Sequence, residues 1–308
     1  MQRLEVGAVV GARYRVLGEI GSGGAATVYE VEHVELRKVF ALKLLEAHLA
    51  ATPEIAERFV REARLAAHLD IPHVTRVSDF GWVDERPFLV MERLRGRTLG
   101  AALRAGDLGP PRRVVELVLQ VLEGLEAAHA QGVIHRDLKP DNLFLVDRDG
   151  RSEVKILDLG LAKILDPKDD LRTQEGMVFG TPRYMAPEQA TGEPVDHRAD
   201  LYAVGVVLFE ALSGGPPFTG GGATEILRQH VAVEAPPLTV QGDARGLDVE
   251  GLAAAVAAAL DKEPRRRPGS AAALARRLEA ALVAAAEPTG PRSEEHTSEL
   301  QSLLIISY

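Results

Sequence analysis

The most constraining feature of the sequence is a change in the spacing of its apolar residues near residue 93. Before that point, apolar and polar residues alternate in short segments, as in Tyr14 to Ile20 and Thr27 to His33, and Val39 to Leu45 is predicted as a further strand. After it, apolar residues recur every three or four positions, as they do from Val114 to Leu125. Strands followed by helices predict an α+β fold that is bilobal, with a small strand-rich lobe and a larger helical lobe.

The same spacing rules place the remaining elements. Pro53 opens a helix that runs to His68, and two more strands are predicted from Val74 to Gly81 and from Pro87 to Glu92. Further predictions are a Gly- and Arg-rich connection at Arg93 to Thr98, a short strand at Val154 to Leu157, a buried helix at Leu201 to Leu212 and a surface helix at Ala271 to Ala286. We therefore expect an N-terminal extension over residues 1–13, a small lobe over residues 14–93 and a large lobe over residues 94–286.

The C-terminal residues require separate treatment. Residues 292–302 have the sequence RSEEHTSELQS, which resembles the translation of a common sequencing-library adapter. We therefore expect residues 287–308 to be a linker remnant followed by an artefactual tail, and we leave the tail out of the fold prediction. A genuine disordered tail is the alternative.

Composition excludes several classes of protein. The chain has 308 residues, of which 46% are hydrophobic and 26% charged, as in an ordinary globular protein. Its formal net charge of −9 argues against nucleic acid and anionic lipid as general partners. The absence of cysteine excludes disulfides, zinc thiolates and thiol nucleophiles. No signal-peptide pattern and no stretch of about 18 apolar residues is found, so we expect a cytoplasmic domain without a membrane span.

Glycines between two predicted strands are the first candidate binding element. Gly21, Ser22, Gly23 and Gly24 connect strand to strand, whereas the glycines of a dinucleotide fold or a P-loop precede a helix. A glycine-tipped hairpin can lay backbone N–H groups over phosphates because no Cβ blocks a close approach. An ordinary tight turn accounts for the same residues, so this feature alone leaves both interpretations open.

Lys43 is unusual because it lies within an otherwise apolar strand, Phe40 to Leu45. A strand lysine that points inward requires an anionic partner. Glu62, within the predicted helix, can supply that charge and leave the Lys43 ammonium directed at phosphate oxygens. A solvated lysine at a sheet edge is the alternative.

The most specific motif is the segment HRDLKPDN at residues 135–142, in which polar residues lie between two apolar segments. Asp137 can orient a hydroxyl and accept its proton, Lys139 can neutralise a transferring phosphoryl group, and the Asn142 oxygen can bind Mg²⁺. Asp158 follows the next predicted strand and adds a carboxylate. Asn142 and Asp158 are therefore candidate ligands of a hard divalent cation.

With these residues, the chain resembles a protein kinase, and in particular the bacterial serine/threonine kinases of eukaryotic type. The resemblance covers about residues 14–285 and implies ATP, Mg²⁺ or alternatively Mn²⁺, and protein substrates with Ser or Thr hydroxyls. The catalytic residues that it implies are Asp137 as the base, Lys139 as the lysine that marks serine/threonine specificity, and the pair Lys43 and Glu62, with Asn142 and Asp158 as metal ligands.

The resemblance also implies a nucleotide site. Its residues are Gly21, Ser22, Gly23, Gly24, Val28, Ala41, Lys43, Met91, Glu92, Leu94 and Phe144. Three positions depart from the pattern of the family. Ala26 replaces a third loop glycine, Leu159 replaces a phenylalanine, and Arg93 stands where an aromatic hinge residue is common.

A peptide platform and a form of control follow from the same resemblance. Residues 180–188 match the peptide-binding end of the activation segment, with Thr181 and Glu188 as platform residues. Arg267 then pairs with Glu188, and Asp200 is the buried aspartate that holds the catalytic loop.

Thr173 is the expected site of activating autophosphorylation. It lies in a polar loop before Thr181, where a phosphate would place negative charge near Arg136. We expect a dimer to permit this reaction in trans, and a full-length protein that is either cytoplasmic or tethered to a membrane through a further C-terminal region.

Two other functions share parts of this pattern. A pseudokinase that acts as a scaffold would lack at least one of Lys43, Asp137, Asn142 and Asp158, and all four are present. A small-molecule phosphotransferase would share the base and the metal ligands but lack a peptide-binding segment like residues 180–188. An active protein kinase is the leading hypothesis.

Overall fold

Six antiparallel strands form the sheet that dominates the N-terminal part of the chain. The computed structural model describes residues 3–148, 151–159 and 182–283. The sheet has the order β1-β2-β3-β4-β6-β5. Its strands are β1 (Val9–Val10), β2 (Tyr14–Ser22), β3 (Ala26–His33), β4 (Val39–Leu45), β5 (Val77–Val83) and β6 (Arg86–Glu92).

The two faces of this sheet have different partners because alternate residues of a strand point to opposite sides. One face forms a buried cluster that includes Tyr29, Leu42 and Val90. The other face is covered in part by helix α2 (Pro53–Ala67), which follows the short helix α1 (Ala47–Ala50). Phe59 and Ala63 of α2 pack in one cluster with Leu45 and Leu89 of the sheet. The rest of that face is available for a site.

A second, three-stranded sheet begins the larger part of the chain. Its strands are β7 (Gly96–Thr98), β8 (Leu143–Arg148) and β9 (Arg151–Ile156), in that order and antiparallel. Gly96 is required here, since its φ is +146° and a Cβ would lie 1.9 Å from the carbonyl oxygen of Leu145. The pairing of β8 with β9 brings Leu143 opposite Ile156, and so sets the predicted catalytic segment, residues 135–142, beside the segment after β9.

Helices supply the remaining core. They are α3 (Leu99–Arg104), α4 (Pro111–Ala130), α5 (Pro187–Thr191), α6 (Arg198–Ser213), α7 (Ala223–Ala232), α8 (Val249–Ala259) and α9 (Ala271–Val283). Helix α6 is buried along nearly all of its length, which confirms the uncharged stretch Leu201 to Leu212 as a buried helix. Helix α4 turns one apolar stripe to the same core and exposes most of its charged residues. No helix within the described ranges is both long and apolar enough to cross a membrane.

The predicted α+β class with a strand-rich and a helical part is confirmed, and three local predictions need comment. The strand expected at Val74 to Gly81 begins instead at Val77 and ends at Val83. Its first residues are engaged elsewhere, because Val74 lies opposite Ile156 in an isolated bridge: the Thr75 N–H donates to the Ile156 carbonyl oxygen at 2.9 Å, and the Ile156 N–H donates to the His73 carbonyl oxygen at 2.7 Å. The connection at Arg93 to Thr98 contains a short strand, β7. Residues 284–286 of the predicted last helix lie outside the described residues.

Close packing of α6 against α8 makes Gly205 a test of the helical core. A Cβ on Gly205 would lie 2.9 Å from the Cβ of Ala259 and 3.1 Å from Cδ2 of Leu260. Alanine gains about 1 kcal/mol in helix propensity, but overpacking costs about 1–3 kcal/mol. We therefore expect Gly205→Ala to lower the free energy of unfolding in a denaturant titration. In that background Ala259→Gly removes the opposing methyl group and should restore stability in part, whereas a more stable single variant would contradict the packing.

Candidate active site

One face of the large sheet carries the residues expected to contact a nucleotide. Directly opposite residues of an antiparallel pair point to the same face. Val28 lies opposite Lys43 on β4, and Ala41 lies opposite Met91 on β6. These four side chains therefore share a face, and it is opposite to the buried face formed by Leu42 and its neighbours.

The glycine turn between β2 and β3 is open above its backbone. A Cβ on Gly21 or Gly24 would meet nothing within 4 Å, and one on Gly23 would come no closer than 3.9 Å to the Ala26 oxygen. None of the three has a left-handed φ. Neither backbone conformation nor packing among the described residues therefore requires glycine here. This open space fits the close approach of a phosphate to the backbone, which the turn with its exposed Ser22 would permit.

Lys43 and Asp158 join the two sheets. The Lys43 Nζ lies 2.6 Å from Oδ1 of Asp158, and the side chains are 15% and 30% exposed. Burial raises the pKa of the Asp158 carboxyl. The charge and hydrogen bond of Lys43, assisted by His135 and Lys139, together outweigh that effect and hold the pKa below its ordinary value. The expected partner Glu62 lies on α2, but its side chain is outside the described residues, so the pairing of Lys43 with Glu62 stays a prediction.

The predicted catalytic loop brings Asp137, Lys139 and Asn142 together. The Lys139 ammonium donates to Oδ2 of Asp137 at 2.6 Å. The Asn142 amide nitrogen donates to the Asp137 carbonyl oxygen at 2.8 Å and to its Oδ2 at 3.2 Å. Both charged side chains remain partly exposed, at 33% for Asp137 and 22% for Lys139. A carboxylate fixed by two neighbours and open to solvent can receive a substrate hydroxyl.

Oxygen atoms of Asn142 and Asp158 fit a hard divalent cation. The amide nitrogen of Asn142 is engaged with Asp137, which leaves the amide oxygen for a metal. The Leu157 N–H donates to the Asn142 carbonyl oxygen at 2.8 Å and so sets Asp158 next to Asn142. The described residues contain no group of three or more His, Asp or Glu that could hold a metal. One carboxylate and one amide suit Mg²⁺, which keeps water and phosphate ligands.

Asp200 holds the backbone of this loop from within α6. The carboxylate is 1% exposed, and it accepts the backbone N–H groups of His135 at 2.9 Å and Arg136 at 2.8 Å. The His129 ring donates a third bond at 2.8 Å. Burial raises the pKa of Asp200, but the hydrogen bond from His129 and the interactions with His135 reverse the direction and lower it. Arg136 adopts a φ of +66°, a left-handed conformation that these bonds stabilise.

The hinge carries Arg93 in place of an aromatic residue. Its Nε donates to Oε1 of Glu30 at 2.8 Å, and its NH1 donates to the Leu94 carbonyl oxygen. Glu92 accepts the Arg76 N–H at 2.9 Å, which fixes its side chain. On the opposite side of the cleft, Phe144 pairs with Thr98 across β7 and β8 and remains partly exposed.

Glu188 and Arg267 form the expected buried ion pair. Two parallel bonds of 2.7 Å join the guanidinium to the carboxylate, and the side chains are 0% and 2% exposed. Arg267 also donates to three backbone carbonyl groups, among them that of Arg198 at 3.0 Å. The predicted platform residue Thr181 and the predicted phosphorylation site Thr173 lie outside the described residues.

Two residues of this region were not found from the sequence. His129 supports Asp200 from the end of α4, and Gln189 on α5 donates to the Arg136 carbonyl oxygen at 2.8 Å. Gln189 also accepts the Ala186 N–H at 3.1 Å. The only sequence signal for His129 is its place six residues before His135. No sequence pattern indicates the role of Gln189.

Comparison with known proteins identifies this arrangement. The protein kinase domain family matches residues 14–278, and the chain belongs to this family. The serine/threonine-protein kinase pkn2 of Myxococcus xanthus is 42% identical over 275 residues, which are 89% of this chain and 33% of pkn2. Pkn1 of the same organism is 40% identical over 283 residues, which are 89% of this chain and 39% of Pkn1. The chain therefore spans between a third and two fifths of these relatives.

A solved structure shows the same fold. The PknI kinase domain of Mycobacterium tuberculosis matches with a TM-score of 0.68 at 27% sequence identity, over 90% of this chain and 99% of that domain. The strand-rich and helical parts are thus the two lobes of a protein kinase. Membership of the family implies ATP, a divalent metal ion and a protein substrate.

The Glu188–Arg267 pair leads to a prediction about stability. Arg267→Ala leaves the Glu188 carboxylate buried without its cation, which costs about 3–5 kcal/mol. We expect a correspondingly lower melting temperature and denaturant midpoint.

Arg266→Ala provides the matched control for this variant. Arg266 is 67% exposed and contacts only Glu263, at 3.2 Å, among the described residues. Its loss should change stability by about 1 kcal/mol or less. Equal effects of the two alanine variants would show that burial of the pair is not what stabilises this region.

Proposed function

We propose that this domain is a serine/threonine protein kinase, which transfers the γ-phosphoryl group of ATP to Ser and Thr hydroxyls of proteins. The observation that carries the proposal is the grouping of the Lys43–Asp158 pair with Asp137, Lys139 and Asn142 at the junction of the two sheets. These are the side chains that phosphoryl transfer requires: cations, metal ligands and a base.

The nucleotide is proposed to bind between the lobes. Its base would lie against Val28, Ala41 and Met91 on the open face of the sheet, with Phe144 and Leu94 on the other side. The glycine turn would cover the phosphates with backbone N–H groups. Lys43 would then bind phosphate oxygens while Asp158 holds its ammonium in position.

Transfer requires one bond to break and one to form. The bond between the γ-phosphorus and the bridging oxygen to the β-phosphate breaks, and the substrate hydroxyl oxygen bonds to phosphorus. Asp137 accepts the hydroxyl proton, and its carboxylate is oriented by Lys139 and Asn142. The Lys139 ammonium also faces the negative charge that develops on the phosphoryl oxygens.

Asn142 and Asp158 are proposed to hold Mg²⁺, with Mn²⁺ as an alternative. When bound, the ion neutralises charge on the phosphate oxygens. The role of the protein is to present one amide oxygen and one carboxylate beside Lys43. Because the pKa of Asp158 is held below its ordinary value, the carboxylate is charged at neutral pH.

Control by autophosphorylation completes the proposal. The backbone of Arg136 is held by Asp200 and Gln189, directly beside the catalytic Asp137. A phosphate on Thr173 would add about 1.5–2 negative charges, and Arg136 is the cation proposed to bind it. A transient dimer would permit the reaction in trans.

We place the domain in the cytoplasm, with membrane tethering of a longer protein as a second arrangement.

Lys43→Met tests the phosphate contact. Methionine preserves the apolar stem of the side chain but removes the ammonium, so we expect phosphoryl transfer to be lost while the melting temperature changes little. Transfer of label from γ-labelled ATP to a basic protein substrate measures the effect.

Lys38→Met is the control, because the Lys38 side chain is exposed and, among the described residues, its ammonium interacts with the ring of Phe40, at 5.3 Å, and with no carboxylate. It should match the unmodified chain in rate. Substantial transfer by Lys43→Met would refute the assigned role.

Asp158→Asn should fail in the same assay, and raised Mg²⁺ should restore part of its rate if the carboxylate binds the ion.

Thr173→Ala tests the proposed control. After incubation with Mg-ATP, mass spectrometry should find phosphate on Thr173 of the chain that carries no substitution. The alanine variant should turn over more slowly. Activation at this position would be contradicted if the alanine variant kept the full rate and if Thr173 of the unsubstituted chain carried no phosphate.

A further inference from the structure

A buried polar network beside the platform takes no part in the chemistry proposed above. His230 of α7 is 0% exposed. Its Nδ1 lies 2.8 Å from the Tyr202 hydroxyl, and its Nε2 lies 2.9 Å from the carbonyl oxygen of Arg183. The Lys262 ammonium donates to the His230 carbonyl oxygen at 2.8 Å and to the Tyr202 hydroxyl at 3.3 Å. Polar groups from four separate segments therefore meet in one buried place.

The direction of each hydrogen bond in this network is determined by chemistry. A carbonyl oxygen can only accept, so Nε2 of His230 carries the proton and donates to Arg183. Nδ1 is then the acceptor for the Tyr202 hydroxyl, whose oxygen accepts from Lys262. Burial, with repulsion from Lys262, lowers the pKa of His230 to about 4 and keeps the ring neutral at pH 7. The single tautomer thus points an N–H group at the Arg183 carbonyl.

The carbonyl that His230 binds belongs to a turn beside the catalytic loop. Arg183 is the middle residue of a 3₁₀ turn, Pro182–Tyr184. The Tyr184 hydroxyl donates to Glu210 at 2.6 Å, which fixes the side of the turn. Burial, followed by the hydrogen bond and charge of Glu210, raises the pKa of the Tyr184 hydroxyl, and the charge of Asp141 in the predicted catalytic segment adds to this.

A second connection links this turn to the base. Gln189 accepts the Ala186 N–H and donates to the carbonyl oxygen of Arg136, the neighbour of Asp137. Residues 180–188 are the predicted peptide platform, so a protein substrate that delivers a hydroxyl to Asp137 is expected to lie over this surface. The orientation of the turn therefore affects how the substrate chain is held, whereas the nucleotide residues lie on the sheet and at the hinge. The network forms no hydrogen bond with those nucleotide residues among the parts of the chain that are described.

We propose that His230 is a positioning residue for the protein substrate: it fixes the Arg183 carbonyl, and with it the platform turn, without contributing to nucleotide binding. Tyr202 and Lys262 hold the His230 ring in the tautomer that this requires. The proposal rests on the protein kinase activity proposed above. That reaction has two substrates, ATP and a protein, and the proposal assigns the network to the protein substrate alone.

Two substitutions of His230 separate its two hydrogen bonds. In His230→Asn the amide oxygen can replace Nδ1 as the acceptor for Tyr202, but no donor reaches Arg183. In His230→Gln the longer amide can place an N–H group where Nε2 lies. We expect His230→Asn to raise the KM for a Ser/Thr peptide by about tenfold, the usual cost of leaving one buried acceptor unpaired. The KM for ATP should stay unchanged, and His230→Gln should restore most of the peptide KM.

Ser213→Ala is the matched control, because it removes a hydroxyl whose single proton is shared between two carbonyl oxygens at the other end of α6. The Ser213 hydroxyl binds the carbonyl oxygens of Phe209 at 2.7 Å and Gly215 at 2.9 Å. It should affect stability but neither KM. If His230→Asn does not fold, Tyr202→Phe keeps the ring and deprives Nδ1 of its donor, and it should also raise the peptide KM alone.

The outcomes separate the positioning role of His230 from the proposed protein kinase activity on which it rests. An unmodified chain that transfers no phosphoryl group overturns the proposed function, and this inference with it. An active chain whose peptide KM is unchanged in the folded variants overturns only the positioning role. A KM that rises equally for peptide and ATP, or a His230→Gln variant as impaired as His230→Asn, overturns it as well.

Discussion

The buried carboxylate of Asp200 is the constraint on which the catalytic segment depends. A charged group at 1% exposure is costly unless every lone pair is used, and here three donors supply that compensation. Two of the donors are consecutive backbone N–H groups, so the carboxylate sets the path of the chain at His135 and Arg136. Asp137 follows directly, and its direction is thereby determined by a residue more than sixty positions later in the sequence.

From this fixed point the site extends through short contacts. The His135 ring donates to the Leu157 carbonyl oxygen at 2.9 Å and accepts the Asp137 N–H at 3.3 Å. Leu157 in turn bonds to Asn142, and Asp158 reaches across to Lys43 of the large sheet at 2.6 Å. The proposed base, the proposed metal ligands and Lys43 are thus joined by one series of hydrogen bonds and backbone segments that runs between the two lobes.

The sequence permitted prediction of the parts that local pattern determines. Alternating strands, the glycine turn and the polar segment at 135–142 are short-range features, and the two-part fold that they predicted is confirmed. The strand β7 was missed because three residues rich in Gly and Arg carry no strand pattern; the strand forms since Gly96 permits a close approach to β8. The contacts of Gln189 with Arg136 and of His230 with Arg183 could not be foreseen, because each joins residues 47 or more positions apart and no spacing rule reports such proximity.

The central claim, that these residues transfer a phosphoryl group to protein hydroxyls, is tested most directly by phosphoamino-acid analysis. The unmodified chain is incubated with γ-labelled ATP, Mg²⁺ and a mixed protein substrate, and the labelled protein is hydrolysed and separated. The account predicts label on phosphoserine and phosphothreonine. Label found only in ATP and inorganic phosphate, or only on a small-molecule acceptor, would contradict it.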